Sequence, residues 1–187
     1  MDKYDFDVIV GIDIGIHGGI SFFDTVSDEL LALYPMPIMK VEKSDKEVNA
    51  LDIIKLKYIL EIPKVHGDSA LVAFENIHAF PGQGAVSTGT LMEQKGIIRG
   101  LVAGLGYTEL QVNPKTWQKT FDIVPPKDLK GTTGKKTKSL RKAWLKEKSL
   151  SVAKERFPAW AEKIGKSDGL SDCLLIGQYV LTHTDLL

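Results

Sequence analysis

The chain has 187 residues, of which 43% are apolar and 26% charged, which is enough apolar material for one core and little for a second domain. No apolar run approaches the roughly 18 to 20 residues that span a bilayer, and the acidic start resembles neither a signal peptide nor a transit sequence. The lone cysteine, Cys173, excludes an internal disulfide and a cysteine-based zinc site. We therefore expect a protein without a membrane span, in the reducing cytoplasm.

The formal net charge of zero conceals a strong asymmetry along the chain. Residues 114–166 contain 15 Lys and Arg against five Asp and Glu, whereas the remainder contains nine against 19. Because binding follows the local potential and not the total charge, the chain can still bind a polyanion such as DNA. The alternative interpretation is a solvated lysine-rich face.

In the first half of the chain we predict strands at residues 6–13, 20–23, 30–35 and 70–75, a loop at 36–46 and a helix at 48–60. Glycines after the first strand indicate a hairpin turn. The strands at 6–13 and 70–75 are continuous apolar runs, typical of buried strands, and each ends in an acid.

In the second half we predict helices at residues 87–105, 138–146, 150–156 and 171–182, a strand at 108–112 and a basic mobile loop at 127–138. Gly96, Gly100 and Gly104 recur every four residues, which predicts close backbone packing of the first helix, either against the sheet, which is slightly favoured, or against a second subunit. Hairpin strands followed by alternating helices and strands predict one α/β domain over residues 1–187, with a mixed central sheet flanked by helices.

Four acids are candidate metal ligands. Asp13 and Glu75 end buried strands, where ligands of α/β sheets usually bind, while Asp168 and Asp172 are one helical turn apart. Carboxylates at one point form a hard oxygen cage that suits Mg²⁺ or Mn²⁺. The alternatives are a turn-forming acid at Asp13, a loop-edge acid at Glu75 and a helix cap at Asp168.

Several stretches of the sequence resemble, in order, the RuvC-like Holliday junction resolvases of the ribonuclease H-like superfamily, and more closely their phage and organellar branch. The matching stretches are GIDIGIHGGI, FENIHAFPGQGAVSTGTLMEQKGIIRGL, VNPKTWQKTF, KEKSLSVAKERFP and KSDGLSDCLLIGQYV. The resemblance implies a ribonuclease H-like fold, a homodimer, and cleavage of four-way DNA junctions by paired symmetrical nicks with two Mg²⁺ ions per site. A phage-encoded member would act in its host's cytoplasm.

The resemblance also implies roles for individual residues. Asp13, Glu75, Asp168 and Asp172 match the family's metal-binding acids, although many members space the last pair three apart instead of four. Lys146 matches a functional lysine near the cleaved phosphate, with Lys148 as the alternative.

Phosphate contacts are expected from a set of basic residues between 115 and 142: Lys115, Lys119, Lys135, Lys136, Lys138, Arg141 and Lys142. Phe80, in a Gly/Pro-rich loop just past Glu75, is a candidate wedge against an opened base pair of the DNA.

Three other functions remain open on sequence alone. GIDIGIHGGI resembles the phosphate-binding hairpin of actin-like and sugar-kinase-like ATP-binding domains, although such proteins need two domains. A ribonuclease H-like nuclease for RNA–DNA hybrids or other branched DNA would share the acidic cage. A non-catalytic DNA-binding relative is the third alternative, against which the complete acidic set argues.

Overall fold

The structure is a computed structural model that describes residues 5–43, 45–66, 68–77, 84–129 and 135–183. It contains seven strands: β1 Val8–Asp13, β2 Gly19–Asp24, β3 Leu30–Pro35, β4 Ile38–Lys43, β5 Lys46–Leu51, β6 Ala70–Glu75 and β7 Thr108–Val112. The helices are α1 Ile53–Leu60, α2 Ile62–Val65, α3 Ala85–Leu105, α4 Pro114–Thr120, α5 Lys135–Arg156, α6 Ala161–Ile164 and α7 Asp168–Thr182. Among the described residues, no helix combines the length and the apolar character that crossing a bilayer requires.

Five strands form the central sheet in the order β3-β2-β1-β6-β7. The hairpins make β3, β2 and β1 antiparallel neighbours, whereas β6 and β7 run parallel to β1. The predicted α/β class with a mixed sheet flanked by helices is confirmed.

The segment between β3 and α1 differs from the prediction of a loop followed by a long helix. β4 and β5 form a separate two-stranded sheet in which Val41 and Val48 face each other across the strands. β-Branched pairs of this kind stabilise antiparallel strands. The helix starts only at Ile53, because the side chain of Asp52 accepts the Lys55 N–H at 2.9 Å and caps the helix there.

The basic segment is also more helical than predicted. Residues 135–138 belong to α5 and not to a loop, and α5 replaces the two predicted helices with one continuous helix up to Arg156. No Gly or Pro interrupts this stretch, and Val152 and Ala153 bury its second half in the core. Lys127–Leu129 forms a 3₁₀ turn, and residues 130–134 lie outside the described residues.

The central sheet separates two apolar layers, because side chains alternate between its faces. Ile9, Leu71 and Ala73 lie in the layer that includes α7, whereas Val10 and Val72 lie in the layer that includes α1 and α3. The same alternation assigns Asp13 and Glu75, the last residues of β1 and β6, to the α7 face.

Helix α7 lies on β1 and β2 at backbone distance. A Cβ atom at Gly11 would lie 2.6 Å from the backbone N of Gly177, so a larger residue there would force strand β1 and helix α7 apart. The buried Ser21 Oγ donates to the Cys173 carbonyl at 2.8 Å and ties the strand to the helix. This packing sets how close any side chain of α7 comes to the end of β1.

The predicted packing of the glycine stripe on α3 against the sheet is wrong. Added Cβ atoms at Gly96, Gly100 and Gly104 would meet no heavy atom within 4 Å. The residues of α3 that contact the sheet are larger, such as Ile98 and Val102, so the glycines occupy the opposite, open face of the helix.

Alanine substitutions at two glycines should therefore have opposite effects. Gly11→Ala should lower the free energy of unfolding by at least about 3 kcal/mol, because the new methyl group meets backbone atoms that cannot move aside. Gly100→Ala should raise it by about 0.5 to 1 kcal/mol, because alanine favours a helix and has open space. Urea unfolding measures both, and a Gly11→Ala variant as stable as the unmodified chain would contradict the backbone contact.

Candidate active site

The ends of β1 and β6 bring Asp13 and Glu75 to one edge of the sheet. The two strands are parallel neighbours with Ile12 opposite Phe74, so the acids that follow these two residues occupy adjacent positions. Both side chains belong to the sheet face covered by α7, and both residues are only partly exposed.

The first turn of α7 carries the other two acids to the same place. Ser167 caps the helix by accepting the Leu170 N–H at 3.2 Å, and Asp168 is the first helical residue. Asp172 follows one turn later. Ser167 therefore has the capping role that was the alternative interpretation of Asp168.

Neighbouring carboxylates and burial together raise the pKa of Asp13 and of Asp172. The pKa of Asp13 lies well above its ordinary value, first because the carboxyl is buried and then because Asp172, Glu75 and Asp168 surround it. Burial raises the pKa of Asp172 to about 7 with help from the charges of Glu75 and Asp168, although a hydrogen bond from Ser149 opposes the shift. The site is therefore short of positive charge.

One oxygen of this cluster has no partner. Among the buried side-chain oxygens and nitrogens of the described residues, Asp172 Oδ1 is the one that lacks a hydrogen bond. Leaving such an atom unpaired costs free energy, more so when the group is charged. The ammonium group of Lys146 acts on Asp172 through its charge, but its ion pair is with Asp168 Oδ2 at the rim.

The acids fit a divalent ion by their chemistry, although they do not form a closed cage. Nowhere in the described part of the chain do three His, Cys, Asp or Glu side chains converge as a ready metal-binding group. The orphaned Asp172 Oδ1 and the neighbouring carboxylates offer hard oxygen ligands in a place where ionised acids repel one another. Mg²⁺ and Mn²⁺ prefer such ligands.

Trp117 holds one oxygen of Glu75 in place, a role that the sequence interpretation did not assign. Its indole Nε1–H donates to Glu75 Oε1 at 2.9 Å from a fully buried ring. Burial raises the pKa of Glu75, and this hydrogen bond opposes the shift. A buried tryptophan needs an acceptor for its N–H, and that signal was available in the sequence. The contact of Ser149 with Asp172 had no comparable signal.

Of the two candidate lysines, Lys146 is the one beside the acids. It extends from α5 to Asp168, and its side chain is 47% exposed. Lys148 instead lines a separate cavity of about 260 Å³ together with Trp144 and Ser151.

The candidate phosphate contacts lie on two helices. Lys115 and Lys119 are exposed on α4, and Lys138, Arg141 and Lys142 are exposed on the first half of α5. Lys135 and Lys136 begin α5, but their side chains lie outside the described part of the structure, as does Phe80 altogether.

No protein-family model matches the sequence, and no curated protein matches it. The structure is similar to that of Thermus thermophilus RuvC in complex with a Holliday junction substrate, with a TM-score of 0.55, 11% sequence identity and coverage of 95% of each chain. The chain has a RuvC-like fold. A second structure of Thermus thermophilus RuvC matches over the same share of both chains, with 12% identity and a TM-score of 0.47. At such low identity the likeness establishes the fold alone, and it confirms the expected ribonuclease H-like class.

The raised pKa of Asp172 predicts how stability depends on pH without metal ions. Between about pH 4 and pH 7 the unfolded chain ionises this carboxyl while the folded chain keeps it protonated, so stability falls as the pH rises. Asp172→Asn removes this contribution and should raise the free energy of unfolding at pH 8 by roughly 2 to 4 kcal/mol.

Urea unfolding in a chelator at pH 5 to 8 tests this prediction. Asp45→Asn is the matched control, because Asp45 is exposed in a left-handed turn that asparagine also tolerates. If the free energy of unfolding depends on pH in the same way for Asp172→Asn and for the unmodified chain, the prediction of a raised pKa at Asp172 is wrong.

Proposed function

We propose that this chain is a single-domain, divalent-metal-dependent endonuclease that resolves four-way DNA junctions by paired nicks, as a member of the phage and organellar branch of RuvC-like resolvases. The observation that carries the proposal is the buried Asp172 Oδ1, unpaired beside Asp13, Glu75 and Asp168. Acids are retained in such a place when the function needs a cation there. The RuvC-like fold supports the choice of reaction.

The proposed site uses Asp13, Glu75, Asp168 and Asp172 to hold two Mg²⁺ ions, with Mn²⁺ as a substitute. When bound, such ions lower the pKa of a water molecule and neutralise charge on the departing oxygen of a phosphodiester. The protein supplies rigid ligands: Trp117 fixes one oxygen of Glu75, and Ser149 supports Asp172. Partners of this kind set the orientation of metal ligands and the affinity for the metal.

Lys146 supplies the mobile positive charge of the proposed mechanism. Its ammonium group is half exposed and pairs with Asp168 at the rim of the acid cluster. If Asp168 held a metal ion, Lys146 would give up this pairing and be available to a phosphate. In that position it would stabilise the extra negative charge of the transition state.

A covalent mechanism through Cys173 does not fit the structure. The thiol is fully buried and lies 3.2 Å from the Leu170 carbonyl, and burial raises its pKa well above the ordinary value. A reactive cysteine needs an accessible thiolate. The direct attack of water on the phosphorus is the mechanism that the remaining groups support.

Junction binding is proposed to use the exposed cations of α4 and α5, extended by Lys135, Lys136 and the candidate wedge Phe80. Each phosphate that these side chains neutralise adds to the salt dependence of binding. A four-way junction cut by two symmetrical nicks requires two active sites, so the proposed active form is a homodimer.

The test is a cleavage assay with Mg²⁺ on four substrates: a mobile four-way junction, a flap, an RNA–DNA hybrid and a linear duplex. The proposal expects paired symmetrical nicks in the junction and little cutting of the others. Asp172→Asn should lower the cleavage rate by about 10³-fold or more, because several kcal/mol of transition-state stabilisation depend on the metal ligands. Its affinity for the junction should be retained, because Asp172 lies among the acids and not on the basic surface.

Asp45→Asn again serves as the control for loss of one carboxylate and should cleave like the unmodified chain. Preferred cutting of the RNA–DNA hybrid would contradict the junction as the substrate and would favour the alternative ribonuclease H-like activity. An Asp172→Asn variant that cuts at the normal rate would overturn the assignment of the acids.

A further inference from the structure

A cavity of about 610 Å³ opens directly beside the acid cluster. Its walls come from the turn after β1, the end of β3, helix α1 and the start of α7, and Asp168 belongs both to this cavity and to the cluster. Cavities of this size hold small organic groups. Whatever occupies it lies next to the proposed cleavage point.

The walls combine an apolar floor with a cationic rim. Met36 and Ile59 are 3% and 8% exposed and form the floor together with the ring of Tyr34. Phe22 packs against the Tyr34 ring in a T-shaped arrangement with ring centroids 6.1 Å apart, and the Lys163 ammonium lies over the Tyr34 ring, 5.5 Å from its centroid. At the rim, Lys55 and Lys166 are both exposed.

This combination differs from the other large apolar cavity of the structure. A cavity of about 510 Å³ between β5 and α3 is lined by apolar residues such as Val48 and Ile97 and by polar ones such as Asn49 and Gln94, and its one charged lining residue is Glu93, so it offers no cation. The cavity beside Asp168 instead offers an aromatic ring for stacking and two lysines for phosphates, as nucleic-acid binding requires.

We propose that the cavity lined by Tyr34, Met36, Ile59, Lys55 and Lys166 is a base pocket that takes one unpaired nucleobase of the cleaved DNA strand. The inference rests on the proposed function, because it takes the neighbouring acids as the cleavage site. A base inside a duplex cannot enter a cavity, but at a crossover point the flanking bases unstack at reduced cost. In the base pocket, Tyr34 stacks on the base while Lys55 and Lys166 bind the adjacent phosphates.

Occupation of the base pocket couples sequence preference to catalysis. A base that fits between Tyr34 and Ile59 holds the following phosphate next to Asp168, whereas a poorly fitting base leaves that phosphate less well placed. Cleavage therefore depends on the identity of the nucleotide beside the cut, while the lysines bind any sequence.

The test measures binding separately from cleavage. Junctions that carry an abasic nucleotide at each crossover position in turn are titrated with Asp172→Asn, which binds without cutting, and the dissociation constants are compared with those of the intact junction. Loss of one stacked base should weaken binding about tenfold at one position. Tyr34→Leu should bind the intact and abasic junctions equally, whereas Tyr34→Phe, which keeps the ring, should retain the difference.

Lys166→Ala leaves the fold intact because the side chain is exposed, and it should lower the slope of log affinity against log salt by about one. Lys46→Ala, at an exposed lysine of β5 outside the base pocket and the acid cluster, is its control. Far-ultraviolet circular dichroism of all variants verifies folding.

Equal affinity for every abasic junction would overturn the base pocket while leaving junction cleavage, the proposed function, unaffected. A chain that discriminates abasic junctions but never cuts DNA would instead retain the base pocket and lose the nuclease. Binding of free ATP that Tyr34→Leu abolishes, without any base dependence in DNA binding, would assign the cavity to a free nucleotide and overturn the proposal.

Discussion

The crowding of carboxylates at one edge of the sheet is the constraint on which the rest of this structure depends. Asp13 and Glu75 end parallel neighbouring strands, and α7 adds Asp172 from above. Gly11 and Gly177 let helix and sheet pack at backbone distance, which brings Asp172 close to the end of β1. Stability is thereby lost to repulsion and desolvation, and a bound cation is the simplest way to regain it. This repulsion is the physical basis of the proposed metal site.

The sequence predicted the elements whose patterns are strong and local. The strands predicted at 70–75 and 30–35 match the structure at both ends. Burial on both faces explains the continuous apolar run of 70–75, whereas 30–35 is a largely exposed edge strand of the sheet. The helical periodicity in 48–60 predicted the helix correctly only from residue 53 onward. Val48 and Leu51 belong to strand β5, and Asp52 caps the helix that follows it. Such competition between strand pairing and helical spacing is decided by tertiary contacts that a single sequence does not contain.

In the candidate site, too, some residues could be predicted from local sequence patterns and others only from the packing of the fold. Asp13, Glu75 and Asp172 could be selected because an acid that ends a buried strand or lies in an apolar helix is costly without a purpose. The choice between Lys146 and Lys148 required the rotation of α5, which depends on how α5 packs against α7. The base pocket could not be predicted at all, since Tyr34, Lys55 and Lys166 come from three distant segments with no shared pattern.

The central claim is that acids distant in sequence share one site for divalent cations. Diffraction from crystals soaked in Mn²⁺, with anomalous difference maps, tests this claim most directly. The account predicts Mn²⁺ in direct contact with both Asp13 and Asp172, with the Lys146 ammonium displaced from Asp168. Ordered Mn²⁺ only at other surfaces, or no ordered ion at millimolar Mn²⁺ with the Lys146–Asp168 pair intact, would contradict it.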